Sequence, residues 1–167
     1  TSGTLPNVEI NTSGTLTLSG TIRTDEDWTY TAGTIDSSGA TVIFHGNGTS
    51  PTITGSHTLT TVTFYGDSSA NDPYTITGGT ILTVTGTLTL DGNAAGNGVD
   101  ISTGTIDAEG PVVTDNADHG GTATIRLVGS ANRTWTGSAT LTAGTMPNVE
   151  INTSGTLTLS GTIRTDE

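Results

Sequence analysis

Residues 1–26 read TSGTLPNVEINTSGTLTLSGTIRTDE, and residues 142–167 read TAGTMPNVEINTSGTLTLSGTIRTDE. The offset is 141, and 24 of the 26 positions match. The exceptions are Ser2 against Ala143 and Leu5 against Met146. Fixed-period self-similarity is the mark of a repeat architecture. Within the phrase, Thr15-Leu16-Thr17-Leu18 alternates polar and apolar residues. In an extended strand that alternation puts the leucines on one face and the threonines on the other. Thr suits the outer face, because its branched carbon fits the pleat and its hydroxyl meets water.

Working outward, the same alternation recurs at Thr58–Phe64, Ile81–Leu90, Thr122–Val128 and Thr156–Leu159. Turn signals separate these runs: Asn47-Gly48, Asp91-Gly92 and Asn97-Gly98, dipeptides whose backbones tolerate tight reversals. About eighteen short strands are expected on this count. A second, weaker repeat divides the period. Gly33-Thr34-Ile35-Asp36 returns as Gly104-Thr105-Ile106-Asp107, and Gly14–Leu18 returns as Gly86–Leu90. The chain is therefore read as one full period over residues 1–141, made of two diverged halves of about 70 residues, followed by the start of the next over residues 142–167. The repeated ends read as a window on a longer tandem array. The other reading makes them redundant copies that let discrete subunits stack or swap strands.

Composition narrows the fold class. Forty Thr and 24 Gly fill over a third of the 167 positions, hydrophobic residues are 31% and aromatics 4%. Helix is disfavoured by both common residues. A low apolar content suits a thin core served by many short strands. The expected fold is all-β, a parallel β-solenoid of about six to eight coils, in which each coil buries a narrow inner stripe against its neighbours. Tandem β-sandwich domains are the alternative, but a 70-residue half is short for about seven sandwich strands. Aligning the halves sets Trp28 and Tyr30 against Val99 and Ile101, Trp135 against Ile53, and Phe44 against Leu127, as inward positions would be. Ile43 against Arg126 is an outward pair.

Charge narrows the partners. Sixteen Asp and Glu face four Arg and no Lys, for a formal charge of −12. Four cations cannot neutralise a phosphate track, so nucleic acid is not expected. No apolar run approaches the ~20 residues of a membrane helix. With no Cys, disulfides, thiol catalysis and Cys-based zinc sites are excluded. His45 aligns with Val128 and His57 with Ala139, so neither position demands imidazole. His119, in Asp115-Asn116-Ala117-Asp118-His119, is expected in a solvated loop.

No catalytic residue and no bound cofactor is expected. Calcium is the one ion with candidate ligands: Asp91, Asp100, Asp25 and Asp27. Gly96-Asn97-Gly98-Val99-Asp100 resembles one copy of a G-x-G-x-D calcium repeat, a motif that binds through consecutive copies. Asp36 and Asp107 read as turn acids that bond their own backbone. Thr-x-Thr pairs at Thr15/Thr17, Thr29/Thr31, Thr58/Thr60, Thr87/Thr89, Thr140/Thr142 and Thr156/Thr158 raise an ice-binding reading, but their sequence intervals are irregular.

The Thr-Leu-Thr-Leu phrases, the Gly-Thr-Ile-Asp anchors and the long period resemble the repeat regions of very large bacterial surface proteins, adhesin-like and filamentous-haemagglutinin-like in style. That resemblance covers the whole chain and implies an extracellular, cell-surface location. The expected function is structural: a repeat unit of a filament or stalk, not an enzyme, with β pairing from coil to coil. Its expected partners are copies of itself, end to end. Alternatives are a glycan-binding adhesin module and, further down, an ice-binding solenoid or a polysaccharide-active enzyme.

Overall fold

In Thr61-Val62-Thr63-Phe64 the alternation becomes geometry: Val62 and Phe64 are fully buried, and Thr61 and Thr63 face outward. The computed structural model describes residues 3–67, 70–92 and 97–165. It is all-β, a parallel β-solenoid of about six turns. Among the described residues there are fifteen strands: β1 (Val8–Thr24), β2 (Trp28–His45), β3 (Thr52–Thr54), β4 (His57–Leu59), β5 (Thr61–Tyr65), β6 (Asp72–Ile76), β7 (Ile81–Val84), β8 (Leu88–Asp91), β9 (Val99–Ser102), β10 (Thr105–Ala108), β11 (Val112–Thr114), β12 (Thr124–Gly129), β13 (Arg133–Ser138), β14 (Asn148–Thr153) and β15 (Leu157–Thr162).

These strands stack on three faces. The first carries the starts of β1 and β2, then β3, β6 and β9. The second carries β4, β7, β10, β12 and β14, with the middle of β2 packed beside β4. The third carries the ends of β1 and β2, then β5, β8, β11, β13 and β15. Every strand pairing is parallel. The strand count is below eighteen because β1 and β2 each run unbroken round all three faces, with bulges between Ile10 and Asn11 and between Thr17 and Ser19. Conversely, the Thr58–Phe64 and Ile81–Leu90 runs each turn a corner and split in two.

The corner inside Ile81–Leu90 is Gly86. A Cβ on Gly110, the next rung's glycine at this corner, would lie 2.1 Å from Gly86 O. The backbones touch there, and only a residue without a side chain fits.

The core is a thin stripe, as composition required. Along the third face Val42, Val62, Leu88, Val112 and Trp135 stack in register, one per coil. Trp28, Phe44, Phe64 and Tyr74 fill its widest part, with Trp28–Phe44 and Phe64–Tyr74 meeting edge to face. Tyr30 departs from the expected inward set: it is only half-buried and packs against the core's edge.

The two copies of the repeated phrase do not occupy equivalent places. Val8-Glu9-Ile10 lies on the first face beside Trp28-Thr29-Tyr30. Val149-Glu150-Ile151 lies on the second face beside Ile125-Arg126-Leu127. Leu16 pairs with Ile35, whereas its counterpart Leu157 pairs with Arg133 on the third face. Alternation is obeyed in both copies, but position around the coil and burial differ: Met146 is 5% exposed where Leu5 is 44%. Flat, Gly- and Thr-rich strands specify register weakly.

Candidate functional site

Titratable side chains concentrate where the third face turns into the first. His45 ends β2 in line with Tyr65 and Asp91 on the next two coils. His45 Nε2 lies 2.6 Å from Arg23 Nη2 and 2.7 Å from Asp67 Oδ2. A guanidinium only donates and a carboxylate only accepts. One imidazole nitrogen therefore serves one of them at a time. The His45 ring stacks on Tyr65 at 5.3 Å, and its buried Nδ1 has no hydrogen-bond partner among the described residues.

Further along the corner the carboxylates turn inward onto backbone amides. Asp72 is buried; its Oδ1 accepts from Gly48 N at 3.2 Å and its Oδ2 from Asp67 N at 2.8 Å. Gly46 packs directly against its side chain. Asp115 accepts from Gly92 N, Ala117 N and His119 Nε2. Burial works to raise the Asp115 pKa, but the His119 bond and the two amides outweigh it and hold the carboxyl below its ordinary value. Asp91 faces Asp115, and its pKa is raised by burial and by that neighbouring carboxylate. Asn71 ties the corner to the first face, donating to Asp100 Oδ1 and Asp118 O and accepting from Gly98 N.

His119 corrects the expectation of a solvated loop. It is 1% exposed. Val99 N donates to its Nδ1 at 3.2 Å, so Nε2 carries the hydrogen given to Asp115. Local sequence around it is polar, and the burial comes from the coils on either side. Thr145 Oγ1 donates to its carbonyl, and His119 N donates to Thr145 O.

The four calcium candidates are spread over several coils. Asp27 Oδ1 accepts from Thr52 N, and Asp100 Oδ1 accepts from Asn71. Asp91 faces Asp115, and the backbone carbonyl of Asp25 accepts from Thr49 Oγ1. Gly96 of the calcium-like pentapeptide lies outside the described residues. Among the described residues no three His, Cys, Asp or Glu side chains converge to hold a metal ion. Of the two turn acids, Asp36 behaves as read: its Oδ1 accepts from Ser38 N and Ser38 Oγ, which lowers its pKa. Asp107 instead makes a bidentate pair with Arg126 of the next coil at 2.7 and 2.8 Å.

Two more features lie elsewhere. His57 sits between Trp28 and Tyr30, with ring centroids at 6.2 and 5.3 Å. Trp28 Nε1 donates to its Nε2, and its Nδ1 donates to Gly55 O. Burial lowers its pKa, opposed by the Gly55 bond. The exposed side of Tyr30 lines a shallow cleft of about 310 Å³ with Thr34, Ser56 and Thr58. Arg133, 5% exposed, stands in a core position beside Leu157 and donates to Ala108 O and Ala131 O. Its Nε has no hydrogen-bond partner among the described residues. Sequence reasoning missed this buried cation, because Arg133 sits in a polar Ser-Ala-Asn-Arg-Thr stretch that reads as surface.

No protein-family model, no curated protein and no solved structure matches this chain.

Proposed function

We propose that this chain is a structural repeat of an extracellular filament or cell-surface stalk. The observation that carries the reading is the unbroken rung-on-rung parallel pairing of the third face, from β1 through β15. Such a fold is extended in one direction by adding identical units, and each unit needs only its neighbours to bury its stripe. The titratable corner fits the same role. Its carboxylates tie amides of successive coils together, which stiffens an axis. The repeated phrase supports continuity with further copies of the same sequence, and the cell-surface resemblance supports the location. Electron microscopy of the full-length parent protein tests this. Rods whose length scales with repeat number are expected, and compact particles overturn it.

A second reading, a glycan-binding adhesin module, is favoured by one observation: Tyr30 presents a half-exposed ring in a cleft with three hydroxyl side chains. An aromatic ring beside hydroxyls can hold a sugar by stacking and hydrogen bonds. Glycan-array binding that is lost in Tyr30→Ala supports it, and an array without hits removes it.

A further inference from the structure

We propose that the third face is an ice-binding surface, its ligand the ordered oxygen lattice of crystalline water. Sequence intervals argue against ranks, because Thr-x-Thr pairs recur irregularly. Stacking removes the objection. Successive rungs of this face are 20 to 26 residues apart in the chain, yet they pair without offset from Thr41 to Thr162, the extra residues being absorbed at corners.

Two outward ranks result. The first runs Thr21, Thr41, Thr61, then Thr87 and Pro111 one residue before the paired Leu88 and Val112, then Thr134 and Thr158. The second runs Arg23, Ile43, Thr63, Thr89, Val113, Thr136 and Ser160. Neighbours within a rank are separated by the inter-strand distance, about 4.8 Å, and the ranks by two strand residues, about 6.6 Å. Hexagonal ice repeats its oxygens at closely similar intervals on its exposed planes.

A second observation is independent of spacing. Not one of these ten hydroxyls has a hydrogen-bond partner within the described residues. Some threonine and serine hydroxyls elsewhere are spent internally: Thr54 on Thr77, Ser37 on Thr60, Thr24, Thr49 and Thr145 on carbonyls. The third face leaves its donors and acceptors for solvent. The two ranks carry no charge beyond Arg23, whose guanidinium is turned onto His45; Asp91 stands on the same face one line over, level with Tyr65 at the corner. The corresponding outward line on the second face is Thr83, Asp107, Arg126 and Glu150. In a chain of charge −12, two uncharged ranks across six rungs are the surface least able to disrupt a water lattice. Beneath it Val42, Val62, Leu88 and Val112 are buried, holding the ranks on a packed layer. The two ranks bear no aromatic ring, which favours water over a crystalline polysaccharide.

The test compares the protein with Thr63→Tyr, Thr89→Tyr and, as a control on the second face, Thr83→Tyr, each confirmed folded by circular dichroism. The unmodified chain and the control are expected to facet ice crystals in a nanolitre osmometer and to hold freezing below melting. The two third-face variants are expected to lose most of that gap. Round, unfaceted crystals with the unmodified chain overturn the proposal. So does an equal loss in Thr83→Tyr, or co-sedimentation with crystalline cellulose in place of ice activity. None of these outcomes bears on rod formation, so the face and the filament fail separately.

Discussion

Ile10 and Ile151 hold the same position in the repeated phrase, yet Ile10 is 3% exposed and Ile151 64%. Ile10 packs into the main apolar cluster beside Tyr30. Ile151 pairs with Leu127 on β14, which has a strand neighbour on one side among the described residues. Identical side chains should therefore differ in energetic weight. Ile10→Ala is expected to cost about 2–4 kcal/mol, and Ile151→Ala about 0.5 kcal/mol or less. Urea unfolding of the two variants measures both, and equal costs would show that the copies share one environment.

His57 gives the fold a pH dependence. Its pKa is lowered by burial from an ordinary 6.5. The unfolded chain therefore takes up the proton more readily than the folded one. Stability from this group is complete above pH 6.5 and falls as pH drops through 6.5 toward the depressed folded value. Protonation would also remove the lone pair that accepts from Trp28 Nε1. His57→Gln keeps an acceptor and removes the titration. Thermal midpoints from pH 8 to pH 5 should fall more steeply in the unmodified protein than in the variant.

Corner contacts should separate two glycines that sequence treats alike. Gly110→Ala drives a methyl group to 2.1 Å from Gly86 O, a backbone atom that cannot rotate away. A loss of about 1–3 kcal/mol is expected. Gly78, in the turn after β6, meets nothing within 4 Å of an added Cβ. Gly78→Ala should be neutral or slightly stabilising, through a less flexible unfolded chain. Differential scanning calorimetry of the pair checks the contrast.

Arg133 has two carbonyl partners, and among the described residues its Nε has none. Burying a cation is costly, and an apolar residue of similar volume often does as well or better. Leu157 already fills the paired position on the next coil. Arg133→Leu is expected to melt no lower than the unmodified protein. A lower midpoint would mean that the two carbonyl bonds outweigh the desolvation.

The fold class was legible because period-two alternation fixes which side of a strand is buried. Val62, Phe64, Leu88 and Leu90 all fall inward as their pattern demands. Position around the coil was not legible. Val8 and Val149 have the same neighbours in sequence and lie on different faces, since that choice is made by corners and adjacent rungs. The candidate sites were legible in part. Asp36 bonds its own turn, a purely local event. His119, Asp72 and Arg133 owe their burial to residues 20 or more positions away, and no local pattern announces that.

Parallel pairing also decides how this molecule meets force. Backbone hydrogen bonds between coils lie along the solenoid axis, so a pull from end to end loads them in line rather than in shear. Coils then detach one after another. Each rung occupies about 4.8 Å of axis, but a freed coil of 20 to 26 residues stretches to roughly 70–90 Å at ~3.5 Å per residue. Loaded this way, the chain is a tether with stored length, yielding many times its resting extension before any covalent bond is strained.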